Sequence, residues 1–137
     1  MTIVFTNGCF DVLHVGHTRL LNWARSQGDY LIVGLNRDAS VRRLKGPGRP
    51  IVLEAERKEM LLALRCVNEV IIFEEDTPLE LLQKVRPQIL VKGPDYHGRT
   101  VSGQEFVESL GGCAMTPDWP VEVSTSNIIH RIRSLKD

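Results

Sequence analysis

The sequence has no surplus of charge of either sign: 17 Lys and Arg residues balance 17 Asp and Glu residues. A neutral chain sets up no global field to hold a polyanion, so nucleic acid is not an expected partner. Any phosphate it binds must be held by local geometry. Aromatic residues are scarce as well, at 6%, which leaves little of the interleaved aromatic surface that single-stranded nucleic acid stacks on. Cysteine is limited to Cys9, Cys66 and Cys113, an odd number without paired spacing. That argues against a disulfide framework and against a zinc site, and makes reduced thiols in a cytoplasmic setting the default expectation. No apolar run approaches the ~18 residues that a membrane span requires. Met1 to Phe5 enter an apolar strand directly, with no basic stretch and no cleavage site, so no signal peptide is expected.

What is present is an alternation of short β-branched runs with longer amphipathic segments, the pattern of an α/β fold. The 137 residues, 42% of them hydrophobic, fit one domain spanning 1–137 with a core of useful size. Ile3-Val4-Phe5 opens a first strand, and Thr6-Asn7-Gly8 is expected to break it. Leu20, Leu21 and Ala24 recur at helical spacing between His17 and Gln27, with Gly28 as the stop. Tyr30 to Leu35 reads as a buried parallel strand. Asp38 is expected to cap a short helix to Leu44, and Glu54 to Leu64 forms another. Val70 to Phe73 and Ile89 to Val91 are further strands, with a helix between them that Thr77 caps and Pro78 enters. Gln104 to Leu110 is helical, a weak fifth strand lies between Cys113 and Val123, and Ser124 to Leu135 closes the chain as a helix. Right-handed crossovers turn this order into a Rossmann-like three-layer α/β/α sandwich with a parallel sheet of about five strands. Ligands in such sheets bind beyond the carboxyl ends of the strands.

The segment from Thr6 to His17, TNGCFDVLHVGH, follows the first strand and leads into the first helix. Gly8 permits a turn other residues resist. The helix start offers free N–H groups and partial positive charge, which suit phosphate. His14 and His17 are three residues apart, so both rings lie on one side of the turn, and Gly16 leaves the backbone between them open. The same pair is also readable as capping residues or as half of a metal site. A zinc pair on a helix prefers i and i+4 with a third ligand nearby, and His97 and His130 stand in different contexts.

Three more segments bear on chemistry. Ser124-Thr125-Ser126 opens the last helix, either as a plain cap or as a holder of phosphate. Lys45 and Arg49 lie in the Gly/Pro loop KGPGRP, which is either solvated surface or a basic flap over an anionic substrate. Lys92-Gly93-Pro94-Asp95-Tyr96 follows a strand, where backbone groups can read a base edge and Tyr96 can pack on a ring. Arg57 is ambiguous between a nucleotide contact and a helix-surface ion pair with Glu54 or Glu56. Cys9 has no required chemical part, and Trp23 and Trp119 no evident ligand role.

TNGCFDVLHVGH, ERKEML, VKGPDY and STSNII stand in the order found in the cytidylyltransferase-like nucleotidyltransferases, and the resemblance covers Val4 to Ile132. Within that family, NRDAS at Asn36–Ser40, RLKG at Arg43–Gly46, FEEDTP at Phe73–Pro78 and Gly111-Gly112 are most similar to the heptose-phosphate adenylyltransferases. The sequence departs from that pattern at Pro94 and His97-Gly98-Arg99. The resemblance implies transfer of AMP from ATP, with Mg2+, to a sugar 1-phosphate such as D-glycero-D-manno-heptose 1-phosphate. The alternatives it leaves are a CTP-dependent glycerol-3-phosphate cytidylyltransferase and a non-catalytic nucleotide-binding module. It further implies His14, His17 and Lys45 as catalytic groups. Thr6, Asn7, Gly8, Phe10, Gly16, Arg57, Lys92, Gly93, Asp95, Tyr96 and Ser124 to Ser126 would hold the nucleotide. Asp11, Asn36, Asp38 and Arg49 would face the acceptor, no residue is implied as a protein metal ligand, and a homodimer or higher assembly is expected.

Overall fold

A computed structural model of the chain describes residues 1–136. Five strands, β1 (Ile3–Gly8), β2 (Tyr30–Asn36), β3 (Glu69–Phe73), β4 (Ile89–Val91) and β5 (Cys113–Met115), form one sheet in the order β3-β2-β1-β4-β5. Every pairing is parallel. Six helices connect and close it: α1 (Val15–Ser26), α2 (Asp38–Lys45), α3 (Glu54–Leu62), α4 (Leu79–Val85), α5 (Gln104–Ser109) and α6 (Thr125–Ser134). The expected Rossmann-like three-layer sandwich is the observed one.

Alternation along each strand builds two cores. Val4, Leu31 and Val91 face one side with Leu21 and Ala24 of α1 and Leu61 of α3. Phe5, Ile32 and Leu90 face the other with Leu81 and Leu82 of α4 and Val107 of α5. The Phe5 ring needs space on the neighbouring strand, and Gly34 supplies it: a Cβ there would sit 2.7 Å from Phe5 Cζ. The chain lays strands outward from β1 to β3, then returns to place β4 on the other side of β1. The order therefore reverses between β1 and β4, and the carboxyl ends of those strands flank a crevice. Among the described residues no helix is long and apolar enough to cross a membrane.

Several local expectations are corrected. The expected break at Thr6 does not occur: β1 continues through Gly8, because Thr6 and Asn7 pair with Val33 and Gly34 of β2. A β-branched threonine in a buried, doubly paired strand satisfies its backbone better than a turn would. Asp38 is not the cap of α2. Arg37 holds that position, and the Asp38 N–H is satisfied by Glu54 Oε1 at 2.9 Å. Thr77 does not cap α4 either; Pro78 occupies the N-cap with no side-chain bond. The fifth strand is confined to Cys113–Met115, where Leu90 and its neighbours in β4 offer a partner edge. Ser124 does cap α6, its Oγ accepting from the Asn127 N–H at 3.0 Å.

Candidate active site

A cavity of about 1080 Å³ opens at the β1/β4 crevice, and both ends of the chain line it. Asn7 to Asp11, His14, Gly16 and His17 come from the N-terminal segment, and Ser124 to Ser126 from the C-terminal one. Lys45 and Arg49 line it from the end of α2 and the loop that follows, Lys92 to Tyr96 from the segment after β4. The volume lies at the upper end of the range for small-molecule sites and is large enough for two substrates side by side.

The backbone fixes both histidines. His14 is the N-cap of α1, and its Nδ1 accepts from the Gly16 N–H at 3.1 Å. His17 stands three residues on, and its Nδ1 accepts from the His14 N–H at 3.2 Å. The pair forms a reciprocal capping box made of imidazoles instead of the usual hydroxyl and carboxylate. A nitrogen that accepts carries no proton, so each neutral ring bears its hydrogen on Nε2. Among the described residues neither Nε2 has a protein partner. Burial holds His14 below the usual histidine range. Burial, together with the His14 ring, pushes His17 down to about 4, against the opposing pull of Asp11. The rings are stacked with centroids 3.8 Å apart, and Phe10 lies 5.3 Å from His17 on another side. The result is two neutral N–H donors, held in parallel at the positive end of a helix.

Gly16 makes this stack possible. A Cβ at that position would lie 2.9 Å from His14 Cε1 and 3.2 Å from the carbonyl oxygen of Val123. The second distance also shows how close the segment before α6 comes to the start of α1. A direct bond joins them: Thr125 Oγ1 donates to the Asp11 carbonyl oxygen at 2.6 Å. The imidazole pair and the hydroxyl run therefore meet at one site although 107 or more residues separate them in sequence.

Between β1 and α1 the chain bends sharply. Phe10 and Val12 adopt left-handed backbone at φ 48° and 52°, a conformation unfavourable for any bulky residue and most so for β-branched valine. The strained turn sends Asp11 inward, where it is 2% exposed. Its carboxylate accepts from the N–H groups of Ile51 and Val52 at 2.8 and 2.9 Å and from Arg49 Nε at 3.3 Å. Asp11 thus contacts neither histidine by hydrogen bond. It anchors the far end of the basic loop that begins at Lys45.

Arg57 and Lys92 differ in use. Arg57 is 1% exposed and does not line the cavity. Its guanidinium donates to the carbonyls of Val52, Cys9 and Asn36 and to Asp38 Oδ1, all within 2.8 Å. Both readings of Arg57 from sequence are corrected: it is neither at the cavity nor in a surface pair with Glu54 or Glu56, because four of its five N–H donors are taken in tying α3 to the ends of β1 and β2 and to Asp38. Asp38, its partner, is likewise directed away from the cavity toward Arg57. Lys92 does line the cavity; Nζ donates to the Asn7 carbonyl at 3.2 Å, and burial lowers its pKa against the opposing charge of Asp95.

The remaining expected residues divide cleanly. Asn7, Gly8, Phe10, Asn36, Gly93, Asp95 and Tyr96 line the cavity, with Asn36 Nδ2 bonded to Ser40 Oγ at 3.1 Å. Thr6 is buried away from it, and among the described residues its Oγ1 and the Asn7 Oδ1 have no hydrogen-bond partner. Cys9 lies at the cavity, but burial raises its thiol pKa despite Lys45, Arg57 and Lys92 nearby, so it stays protonated and weakly nucleophilic. Among the described residues no three His, Cys, Asp or Glu side chains gather into a metal cage. Sequence reading missed Leu20, Trp23, Trp119 and Pro120 as lining residues. The signal for two of them was present: Leu20 and Trp23 continue the His14–His17 face of α1 in steps of three.

The chain was compared with known proteins. A profile described as Cytidylyltransferase-like matches residues 5–131. The bifunctional protein HldE of Syntrophotalea carbinolica is 57% identical over 131 residues, covering 96% of this chain and 27% of that protein. That of Mesorhizobium japonicum is 51% identical over 134 residues, covering 98% and 27%. This chain thus spans about a quarter of the length of these relatives. Among solved structures, a lipopolysaccharide core biosynthesis protein from Thermoplasma volcanium superposes with a TM-score of 0.70 at 29% identity, over 85% of this chain and 93% of that one. Pantothenate synthetase from Thermus thermophilus shares the fold, with a TM-score of 0.60 at 18% identity, over 93% and 61%. With its imidazole pair, helix N-termini and late hydroxyl run gathered at the switch point of the sheet, the chain belongs to the cytidylyltransferase-like family of nucleotidyltransferases.

Proposed function

We propose that this chain transfers AMP from ATP to D-glycero-D-manno-heptose 1-phosphate, forming ADP-heptose and pyrophosphate. One phosphate oxygen of the acceptor attacks the α-phosphorus in line; the new P–O bond forms as the bond to the β-phosphate oxygen breaks. The acceptor is already an anion, so no protein nucleophile or base is required. Catalysis then consists of positioning and charge stabilisation.

In this reading the Nε2–H groups of His14 and His17 donate to oxygens of the reacting phosphate, where negative charge grows. Ser124, Thr125, Ser126 and the free N–H groups of α6 hold the β- and γ-phosphates. Lys45 and Lys92 neutralise the approaching phosphates. Asn36 and Arg49 face the acceptor. Mg2+ enters as part of the nucleotide substrate, bound by phosphate oxygens and water; Asp11, the buried carboxylate of the site, is already occupied by three donors.

The observation that carries this reading is the meeting of two unpartnered imidazole donors with the capped start of α6 in one cavity. The choice of heptose rests on the likeness of Asn36–Ser40, Arg43–Gly46 and Phe73–Pro78 to the heptose-phosphate adenylyltransferases. The test is a matrix of the four nucleoside triphosphates against heptose 1-phosphate, glycerol 3-phosphate and other sugar phosphates, with pyrophosphate as readout. Release with ATP and heptose 1-phosphate alone supports the proposal. Release only with CTP and glycerol 3-phosphate overturns its substrates. Nucleotide binding without release from any pair makes the chain a binding module.

A further inference from the structure

Two chemically different groups of residues line the cavity. One is cationic, Lys45 and Arg49. The other is apolar and aromatic: Leu20, Trp23, Tyr96, Trp119 and Pro120. Trp23 and Trp119 meet edge to face with centroids 5.8 Å apart. They come from separate elements: Trp23 from α1 and Trp119 from the segment that leads to Ser124.

Spacing along α1 relates the aromatic group to His17. His17, Leu20 and Trp23 lie on one face of α1, and all three line the cavity. Six residues of helix rise about 9 Å, comparable to the reach from an α-phosphate across a ribose to the middle of its base. Tyr96 is less suited to a base, because Lys92 Nζ and the Arg99 guanidinium already lie 5.0 and 5.3 Å from its ring centroid. The two indoles carry no such cation partner, and each is half-buried.

Resting on the nucleotidyl-transfer reading above, we propose that Trp23 and Trp119 together form the nucleobase wall of this site, so that the nucleotide lies along α1 with its base at the indoles and the acceptor lies beside Lys45 and Arg49. Two indoles offer more π surface than one monocyclic base can cover, so the wall favours a bicyclic base.

The two residues are also the only tryptophans of the chain, so their emission reports the wall directly. ATP, titrated without any acceptor, is expected to quench the fluorescence saturably, while tripolyphosphate binds by calorimetry with little quenching. Trp119→Ala and Trp23→Ala are each expected to weaken ATP about tenfold, the scale of losing one base–aromatic stack. Tripolyphosphate affinity should hold, which also certifies the fold, and the ratio of ATP to CTP affinity should fall toward one. Trp119→Phe is expected to recover most of the loss. Equal weakening of ATP and tripolyphosphate would overturn the proposal, as would a raised acceptor KM with nucleotide affinity unchanged. Because nucleotide binding is measured alone, failure to turn over heptose 1-phosphate would sink the substrate assignment and leave the wall standing. Normal turnover with undiminished ATP affinity in both variants would do the reverse.

Discussion

Thr125 Oγ1 donates to the carbonyl oxygen of Asp11 at 2.6 Å, and so fixes the start of the last helix to the strained turn that precedes the first. The bond crosses 114 residues of sequence and holds the hydroxyl run and the imidazole pair at one distance from each other. Thr125→Val keeps the shape and removes the donor. The expected cost is about 1 kcal/mol of stability, a lowering of Tm by roughly 3 °C in a chain of this size. Activity should fall further, about tenfold, because α6 is free to shift relative to the histidines. Thr125→Ser should recover both. Thermal scans and pyrophosphate release measured on the same preparations separate the two effects; a variant that loses stability but keeps full turnover would mean the bond does not position the site.

His14 combines two jobs in one ring, and substitution can divide them. Nδ1 caps α1 by accepting from the Gly16 N–H, while Nε2 faces no protein partner. Asparagine is a favoured N-cap, so His14→Asn should stay within ~1 kcal/mol of the parent in urea denaturation. It lacks the distal N–H donor, and the loss of one such donor lowers turnover on the order of 100-fold. His14→Ala should lose the same activity and about 1 kcal/mol of stability besides. If His14→Asn turns over at the parental rate, the ring is a cap and nothing more.

Burial depresses His17 to about 4, whereas an unfolded histidine titrates near 6.5. Between these values the unfolded chain binds a proton that the folded chain refuses. The contribution of His17 to stability is therefore complete above about pH 6.5 and is lost as the pH falls toward 4. His14, also depressed, acts in the same direction. Allowing for the partial exposure of His17, the loss is on the order of 2 kcal/mol. Glutamine is a natural residue at the third position of a capping box and does not titrate. The urea midpoint of His17→Gln, followed from pH 8 to 4, should decline less steeply than that of the parent. Parallel declines would show that the His17 proton is not linked to folding.

The alternation of strands and helices and the residues that meet at the cavity were legible because they rest on local signals: a continuous apolar run for Tyr30–Leu35, three-residue spacing for His14 and His17, a hydroxyl before a helix for Ser124. What escaped were roles set by partners far away in sequence. Nothing near Arg57 announces that its guanidinium will reach the carbonyls of Cys9 and Asn36, 48 and 21 residues away. Nothing near Asp38 announces that Glu54 will satisfy its N–H. Trp23 lay on a legible helical face, but its significance depends on Trp119 arriving from the other end of the chain. Local pattern reveals which face of an element is apolar or anion-binding; it does not reveal which distant group completes that face.

Asp11 provides the last prediction, since it joins the basic loop to the histidine turn. It is 2% exposed, and its two oxygens receive three donors, from Arg49, Ile51 and Val52. Asp11→Asn is nearly isosteric but keeps one accepting oxygen, and its new amide hydrogens face N–H groups and a guanidinium. The half-buried charge on Arg49 then loses its counterion while backbone donors lose an acceptor. The expected destabilisation is about 3 kcal/mol, typical of breaking one side of a buried ion pair. Arg49→Met removes the cation and leaves both backbone bonds, so it should cost about 1 kcal/mol or less while raising the acceptor KM more than the ATP KM. Combined, the two substitutions should cost clearly less than the sum of their separate effects, because the orphaned guanidinium is gone. Strict additivity in a double-mutant cycle by urea denaturation would show that the Asp11–Arg49 pair carries no coupling, and that Asp11 holds the loop through Ile51 and Val52 alone.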